Sequence, residues 1–305
     1  MMHKDADVLV IGGGPAGSTA ALTLARAGAR VRLIDRAEFP RDKLCGDTLN
    51  PGSLSILDRL GVGDGVRACA LPIMGMTVTG PGAEVSADYP DGLRGMSLTR
   101  RCLDHLLLDA AADAGASVDT GVAVSEPVID NDRVVGVRLG GTRRDVLRAP
   151  VVIAADGRGS RVAAGLNLAA YANAPRRWAF GAYFANVSGM SARGEMHIRR
   201  GAYIGVAPLP GGVANVSVVL DNVPARRVQP FDRLRVVPSI VEGQKDAPYG
   251  KAEQQAIVRR ALTADAVLRD RFVNATQVSP VTVLGPLAVN ARAAGCPGLV
   301  LAGDA

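Results

Sequence analysis

A chain of 305 residues, 48% apolar and 21% charged, can bury the core of one large or two medium domains and is not a disordered polymer. Its net charge of +6 comes almost wholly from arginines scattered without a run or a basic helix face. The charge therefore reads as solvated surface, with modest attraction for anionic cofactors or an acidic membrane surface, and nucleic acid is not an expected partner.

In chain order, residues 8–25 form an uncharged run of 18 residues, long enough for a membrane span. Gly12-Gly13-Gly14-Pro15 would break such a helix, and Asp5 and Asp7 are the wrong flank for a signal peptide. The run reads instead as a buried parallel strand (Asp7–Ile11), a glycine turn and a helix from about Ala16 to Ala27 stopped by Gly28. Arg30–Asp35 is the second strand of a β-α-β unit. Gly75–Ala87 is a hairpin turning at Gly80-Pro81-Gly82, and Ser97–Ala114 a helix with an apolar stripe. Val122–Glu126, Arg133–Leu139 and Arg144–Arg148 form an antiparallel meander, followed by a strand at Val151–Ala155. Alternating segments such as Trp178–Phe184, Tyr203–Ala207 and Val213–Leu220 belong to a second sheet that the hairpin joins. The stretch 224–271 is charged, with a helix near Lys251–Leu262, and Leu299–Ala302 is a last buried strand.

Four cysteines (Cys45, Cys69, Cys102, Cys296) lack metal or CxxC spacing, which suits a reducing, cytoplasmic setting; with only His3, His105 and His197 besides, no metal site is expected. The chemistry instead sits in Gly12-x-Gly14-x-x-Gly17, between strand and helix, with Asp35 at the end of the second strand. Gly12 permits the tight turn, Gly14 lets backbone approach a pyrophosphate, and Gly17 lets helix and strand pack closely. The helix start at Pro15-Ala16 offers free N–H groups to phosphate, and the Asp35 carboxylate, beside Arg36, can accept ribose hydroxyls. Nucleotide binding follows from this placement; the motif does not choose between FAD and NAD.

Ala155-Asp156-Gly157-Arg158-Gly159-Ser160-Arg161 and Leu301-Ala302-Gly303-Asp304 each follow a strand. With the first motif they resemble the three-part FAD signature of the geranylgeranyl reductase and flavoprotein aromatic hydroxylase (p-hydroxybenzoate hydroxylase-like) superfamily. Phe39-Pro40-Arg41-Asp42-Lys43-Leu44-Cys45-Gly46-Asp47 resembles the FPRxKxCG segment of its geranylgeranyl-reductase-like members. The resemblance implies that Arg41, Cys45, Gly46 and Asp47 pass close to the flavin, that Asp156 and Gly157 lie near the pyrophosphate, and that Gly303 and Asp304 hold the ribityl chain. Asp47 or Asn50 could instead simply start the next helix, with Cys45 a small buried residue. Arg100 opens an R-x-x-x-D pattern whose arginine contacts FAD phosphate or ribose in the superfamily, with Arg101 the alternative and a solvated arginine the plain reading. Ala163 stands where the family often has arginine, a departure that counts against NAD(P)H docking there, with Arg161 as the candidate substitute. At Tyr203, Gly205, Ala207 and Pro208 the W-x-W-x-I-P pattern of flavin-dependent halogenases is absent, and Tyr203 is expected to pack within its sheet, like Trp178, Phe180 and Phe184, with a place facing a substrate cavity as the alternative.

The resemblance implies an α/β fold in which a Rossmann-like FAD-binding domain of glutathione-reductase type (1–73, 96–168, 282–305) is interleaved with a β-sheet-rich substrate domain (74–95, 169–281). It implies one FAD, NAD(P)H as electron donor, and an apolar or aromatic small-molecule substrate between flavin and second sheet, with a peripheral membrane contact. Reduction of a prenyl-like C=C bond is the first expectation, FAD-dependent monooxygenation the second, and a catalytically silent FAD-binding remnant the third. The family continues past Gly303-Asp304 into a helix facing the flavin, so an isolated 305-residue fragment is expected to hold FAD weakly or not at all.

Overall fold

The computed structural model describes residues 4–141, 145–171, 176–221 and 249–305. Its centre is a six-stranded sheet in the order Gly295–Cys296, Leu299–Leu301, Val151–Ala154, Val8–Ile11, Val31–Ile34, Ser117–Asp119. All pairings are parallel except the edge formed by Gly295–Cys296. Val8–Ile11 is buried along its length, because alternate side chains serve two cores. Val8 and Val10 meet Leu22, Leu103 and Leu107 from the helices Pro15–Arg26 and Arg100–Asp113. Leu9 and Ile11 meet Val134, Val137 and Leu147 from a meander of Val124–Asp130, Arg133–Leu139 and Val146–Arg148. The 8–25 run is thus strand, turn and helix, and among the described residues no helix is long and apolar enough to cross a membrane.

Several boundaries differ from the sequence reading. Gly95–Ser97 is a strand, pairing antiparallel with Thr48–Leu49 and Leu71–Ile73, and the helix starts only at Arg100. Thr99 sets that start: its hydroxyl oxygen accepts the Cys102 N–H at 3.3 Å, as an N-cap. The helix Pro51–Arg59, which begins after Asn50, and the helix Gly63–Cys69, unread in the sequence, fill the connection between. Of the expected strand at 144–148, position 144 lies outside the described residues.

An eight-stranded sheet carries the rest. Trp178–Ala185, Val213–Leu220, Ala202–Leu209 and Arg193–Arg199 run antiparallel in that spatial order. The hairpin Gly75–Gly80/Ala83–Asp88 joins by parallel pairing of Gly75 with Arg193. One face is a core of Trp178, Phe180, Phe184, Ile204, Val206 and Val216, closed by Val258 and Leu262 of the helix Lys251–Ala264. Tyr203 is not in this core, contrary to expectation. Period-2 alternation puts it, with Gly205, Ser217, Asn215 and Tyr183, on the opposite face.

Candidate functional site

The three glycine motifs meet at one place. Gly12 (φ 106°) lies so close to the Ala155 carbonyl that a Cβ would strike it, and a Cβ at Gly17 would strike the Gly12 carbonyl. Turn, helix and the 155–157 segment are therefore pressed together as a dinucleotide turn requires. Gly303 (φ 67°) completes the arrangement: a Cβ on it would lie 2.9 Å from that of Ala16 in the first helical turn. Asp304 beside it is exposed. The helix Pro15–Arg26 opens on Gly14 without a side-chain cap, leaving its first N–H groups for an anion.

Asp35 is buried and braces this turn, accepting the Gly13 N–H at 2.6 Å and the Ala37 N–H at 2.7 Å. Burial raises the Asp156 carboxyl above the usual carboxylate range, against the Ser160 hydroxyl, the Arg161 N–H and the nearby Arg36 charge. Its Oδ2 accepts the Arg161 N–H at 2.9 Å, whereas its buried Oδ1 has no partner among the described residues. The Arg161 side chain is exposed and Ala163 fully buried.

The loop 39–47 and the helix Arg100–Asp113 bring two arginines over the turn. Their Nη2 atoms lie 3.6 Å (Arg41) and 3.8 Å (Arg100) from where a Gly14 Cβ would be. Asp104, fully buried one turn below Arg100, holds both: Arg100 donates Nε–H at 2.6 Å and Nη2–H at 2.8 Å, and Arg41 Nη1 stands at 3.0 Å. Burial works against the Arg100 charge, but Asp104 keeps its pKa raised. Two guanidiniums on one carboxylate leave a net positive charge at a helix start, the electrostatics of a pyrophosphate site. Arg101 instead points to the surface, 3.7 Å from Asp42. The R-x-x-x-D spacing thus has a local reason, since residues four apart share one helix face.

At the other end of the loop, Asn50 is the plain helix cap, accepting the Ser53 N–H at 2.8 Å. Asp47 is not a cap of that helix. It is 2% exposed, adopts φ 53°, and crosses to the eight-stranded sheet. Its Oδ2 accepts the Asn215 Nδ2–H at 2.6 Å and the Tyr183 hydroxyl at 2.9 Å, while its Oδ1 accepts the Arg100 N–H at 3.3 Å. Burial pushes the Asp47 carboxyl up to about 6, opposed by Asn215, Tyr183 and Arg100. Burial, then Asp47, raises the Tyr183 hydroxyl as well. Asn215 also donates to the Cys45 carbonyl at 2.9 Å, and Ser217 donates to Asn215 Oδ1 at 3.1 Å. The Cys45 thiol is free and half-buried, and a Cβ on Gly46 would meet open space.

Sequence reasoning missed Asp104, Tyr183 and Asn215 as site members. The signals were present: an acid four residues after Arg100, a tyrosine out of phase with Trp178 and Phe180, and Asn215 and Ser217 alternating among valines. A second polar cluster, Glu195–His197–Thr79, mimics a catalytic triad, with His197 Nε2 3.0 Å from Glu195 and Nδ1 2.9 Å from the Thr79 hydroxyl. It lies on the core face, Thr79 is 3% exposed and also accepts from Arg199, and Arg271 neutralises Glu195, so it serves packing. No group of side chains among the described residues could hold a metal ion.

The residues present fit FAD: a glycine cradle that a Cβ would fill, two arginines over a helix start, and an orphaned buried carboxylate oxygen on Asp156. Comparison agrees. The model of the "FAD binding domain" family matches residues 5–305. Menaquinone reductase of Mycolicibacterium smegmatis is 38% identical over 133 residues, 43% of this chain and 32% of the relative. Digeranylgeranylglycerophospholipid reductase 1 of Methanothermobacter thermautotrophicus is 35% identical over 55% of this chain and 44% of its own length. The 6-methylpretetramide 4-monooxygenase of Streptomyces rimosus is 36% identical over 51% and 39%. These matches span less than half of each relative. The myxobacterial chondrochloren halogenase has the same fold, with a TM-score of 0.83 at 23% identity over 99% of this chain and 68% of that one.

Proposed function

We propose, from the premise that this chain belongs to the FAD binding domain family of oxidoreductases, that it reduces a C=C bond of an apolar, prenyl-like substrate with electrons from NADH or NADPH. FAD, when bound, would supply the two-electron transfer. Gly12, Gly14 and Gly17 would admit its pyrophosphate to the start of the helix Pro15–Arg26, under the Arg41 and Arg100 guanidiniums. Asp35 would meet the adenosine ribose, Asp156 and Gly157 the pyrophosphate region, and Asp304 the ribityl chain.

The observation that carries the substrate assignment is the sheet face turned to the loop 39–47. From the Asp47–Tyr183 contact it runs outward over Tyr203 and Met196 to Ile198, Val78 and Val85, all three exposed. Only the inner end is polar. Exposed apolar side chains in register on one face mark a binding surface, and this one suits a long hydrocarbon laid outward from the redox centre. Such substrates reside in membranes, so a cytoplasmic protein making peripheral membrane contact is part of the proposal. Relationship to a reductase of a prenylated quinone and one of a geranylgeranyl lipid supports it. Monooxygenation is the second reading, supported by the streptomycete relative.

The test is NADPH-dependent turnover of geranylgeraniol, once under nitrogen and once under ¹⁸O₂. The proposal expects a more saturated, unlabelled product in both. Product formed only with oxygen, and carrying the label, establishes the second reading instead.

A further inference from the structure

The polar inner end of the sheet face is built to do more than pack. Asn215 is 3% exposed, with both amide hydrogens committed, to Cys45 and to Asp47. Asp47 is equally enclosed. Tyr183, by contrast, is only part-buried, and it is the phenol through which this enclosed carboxyl meets the face. Which way its proton points depends on Asp47. With Asp47 ionised, the Tyr183 hydroxyl donates inward and leaves only lone pairs outward. With a solvent proton on Asp47 Oδ2, that carboxyl donates to the phenol oxygen and the Tyr183 hydrogen turns outward.

We propose that Tyr183, oriented by Asp47, is a specificity-determining residue that recognises an oxygen function next to the reducible bond, presenting a donor to a carbonyl when Asp47 is protonated and an acceptor to a hydroxyl when it is ionised. The inference rests on the apolar-substrate reading above and narrows it: the substrate is an oxygen-bearing isoprenoid, an enone, quinone or allylic alcohol rather than a bare hydrocarbon. The charged and titratable groups around the pair are few. Arg100 faces Asp47 from the start of the helix Arg100–Asp113, and Asp42 and Cys45 act on Tyr183 from the loop itself. The first favours the carboxylate and the others disfavour a phenolate, so Asp47 is the member that titrates near neutrality. Burial has already brought its pKa to about 6.

The test measures binding by perturbation of the flavin spectrum between pH 5 and 8, with three probes sharing one chain: farnesal, farnesol and farnesene. In the FAD-loaded protein, farnesal should bind several-fold more tightly below pH 6 than above pH 7, farnesol should show the reverse trend, and farnesene should be insensitive to pH. Tyr183→Phe should abolish both pH trends and weaken the two oxygenated probes about tenfold, leaving farnesene unchanged. Asp47→Asn, which has no proton to exchange in this range, should flatten both pH trends while leaving the two oxygenated probes bound. If all three probes bind alike with no pH trend, or if Tyr183→Phe keeps the trends, the inference fails while the apolar site stands. If even farnesene does not bind, the apolar-substrate reading fails with it.

Discussion

Asp47 shows how much a single buried carboxyl can fix. Its folded-state pKa of about 6 lies above the ordinary 3.8, so the folded protein binds this proton more tightly than the unfolded chain. Stability is therefore greatest, as far as this group is concerned, below pH 4, and falls as pH rises through 4 to 6. A rise from 3.8 to about 6 is worth roughly 3 kcal/mol. Asp47→Asn should flatten that segment of the stability curve, measurable by urea unfolding at pH 4.5 and 7; an unchanged slope would assign it to other groups. Asp104 makes the opposite case. It is paired with two arginines, and Asp104→Ala would leave both guanidiniums part-buried without their anion, costing about 3–5 kcal/mol of stability. Arg100→Ala keeps Asp104 paired with Arg41 and should instead weaken FAD binding by about 10- to 100-fold, read by fluorescence titration, as for one charge-assisted contact to phosphate.

At this scale the sequence told much about backbone and little about side-chain partners. Gly12, Gly17 and Asp35 could be read because backbone geometry alone demands those residue types at those positions. Tyr183 and Asn215 could not, because their partner Asp47 is 136 and 168 residues away, and nothing local to either marks the contact.

Among the elements, the β-α-β unit and the meander were legible, since hydrophobic period and turn residues dictate them locally. The helix was read three residues early, from Ser97, because Leu98 continues its apolar stripe; Ser97 ends the strand Gly95–Ser97, and only the Thr99 cap divides the two elements. Of the short helices between residues 51 and 69, the first was marked only by its cap at Asn50, and Gly63–Cys69 carries too little periodicity to stand out. The assignment of Tyr203 to the core failed for a related reason: alternation gives a strand two faces but does not say which is covered. The face turned on the helix Lys251–Ala264 belongs to the even-numbered residues of Trp178–Ala185 and Ala202–Leu209. The glycine turn allows a sharp prediction here. Gly17→Ala places a methyl group in the Gly12 carbonyl, so the helix must move off the strand. Overpacking of this kind costs about 1–3 kcal/mol. Since the pyrophosphate would sit on the displaced helix start, FAD retention should fall further than the melting temperature suggests. Equal FAD affinity in Gly17→Ala and the wild type would remove the turn from the cofactor site.

Across the whole molecule, the two sheets are tied at the place where chemistry would occur. Asp47 joins the eight-stranded sheet to the start of the helix Arg100–Asp113, and that helix, through Arg100 and Asp104, reaches Arg41 and the Gly14 turn. A cofactor on the glycine turn and a substrate on the apolar face would thus be positioned by one continuous polar chain. The shared fold with a halogenase and kinship with reductases and a monooxygenase show that this framework serves several chemistries, so the fold alone does not choose the reaction. The most direct test is one turnover without oxygen: the FAD-loaded protein is photoreduced, then mixed anaerobically with one equivalent of a prenylated enone. The proposed function predicts that oxidised-flavin absorbance returns in step with one equivalent of product saturated at one C=C bond. If the flavin stays reduced until oxygen is admitted and the product then carries an added oxygen atom, the protein is a monooxygenase and the reductase account is wrong.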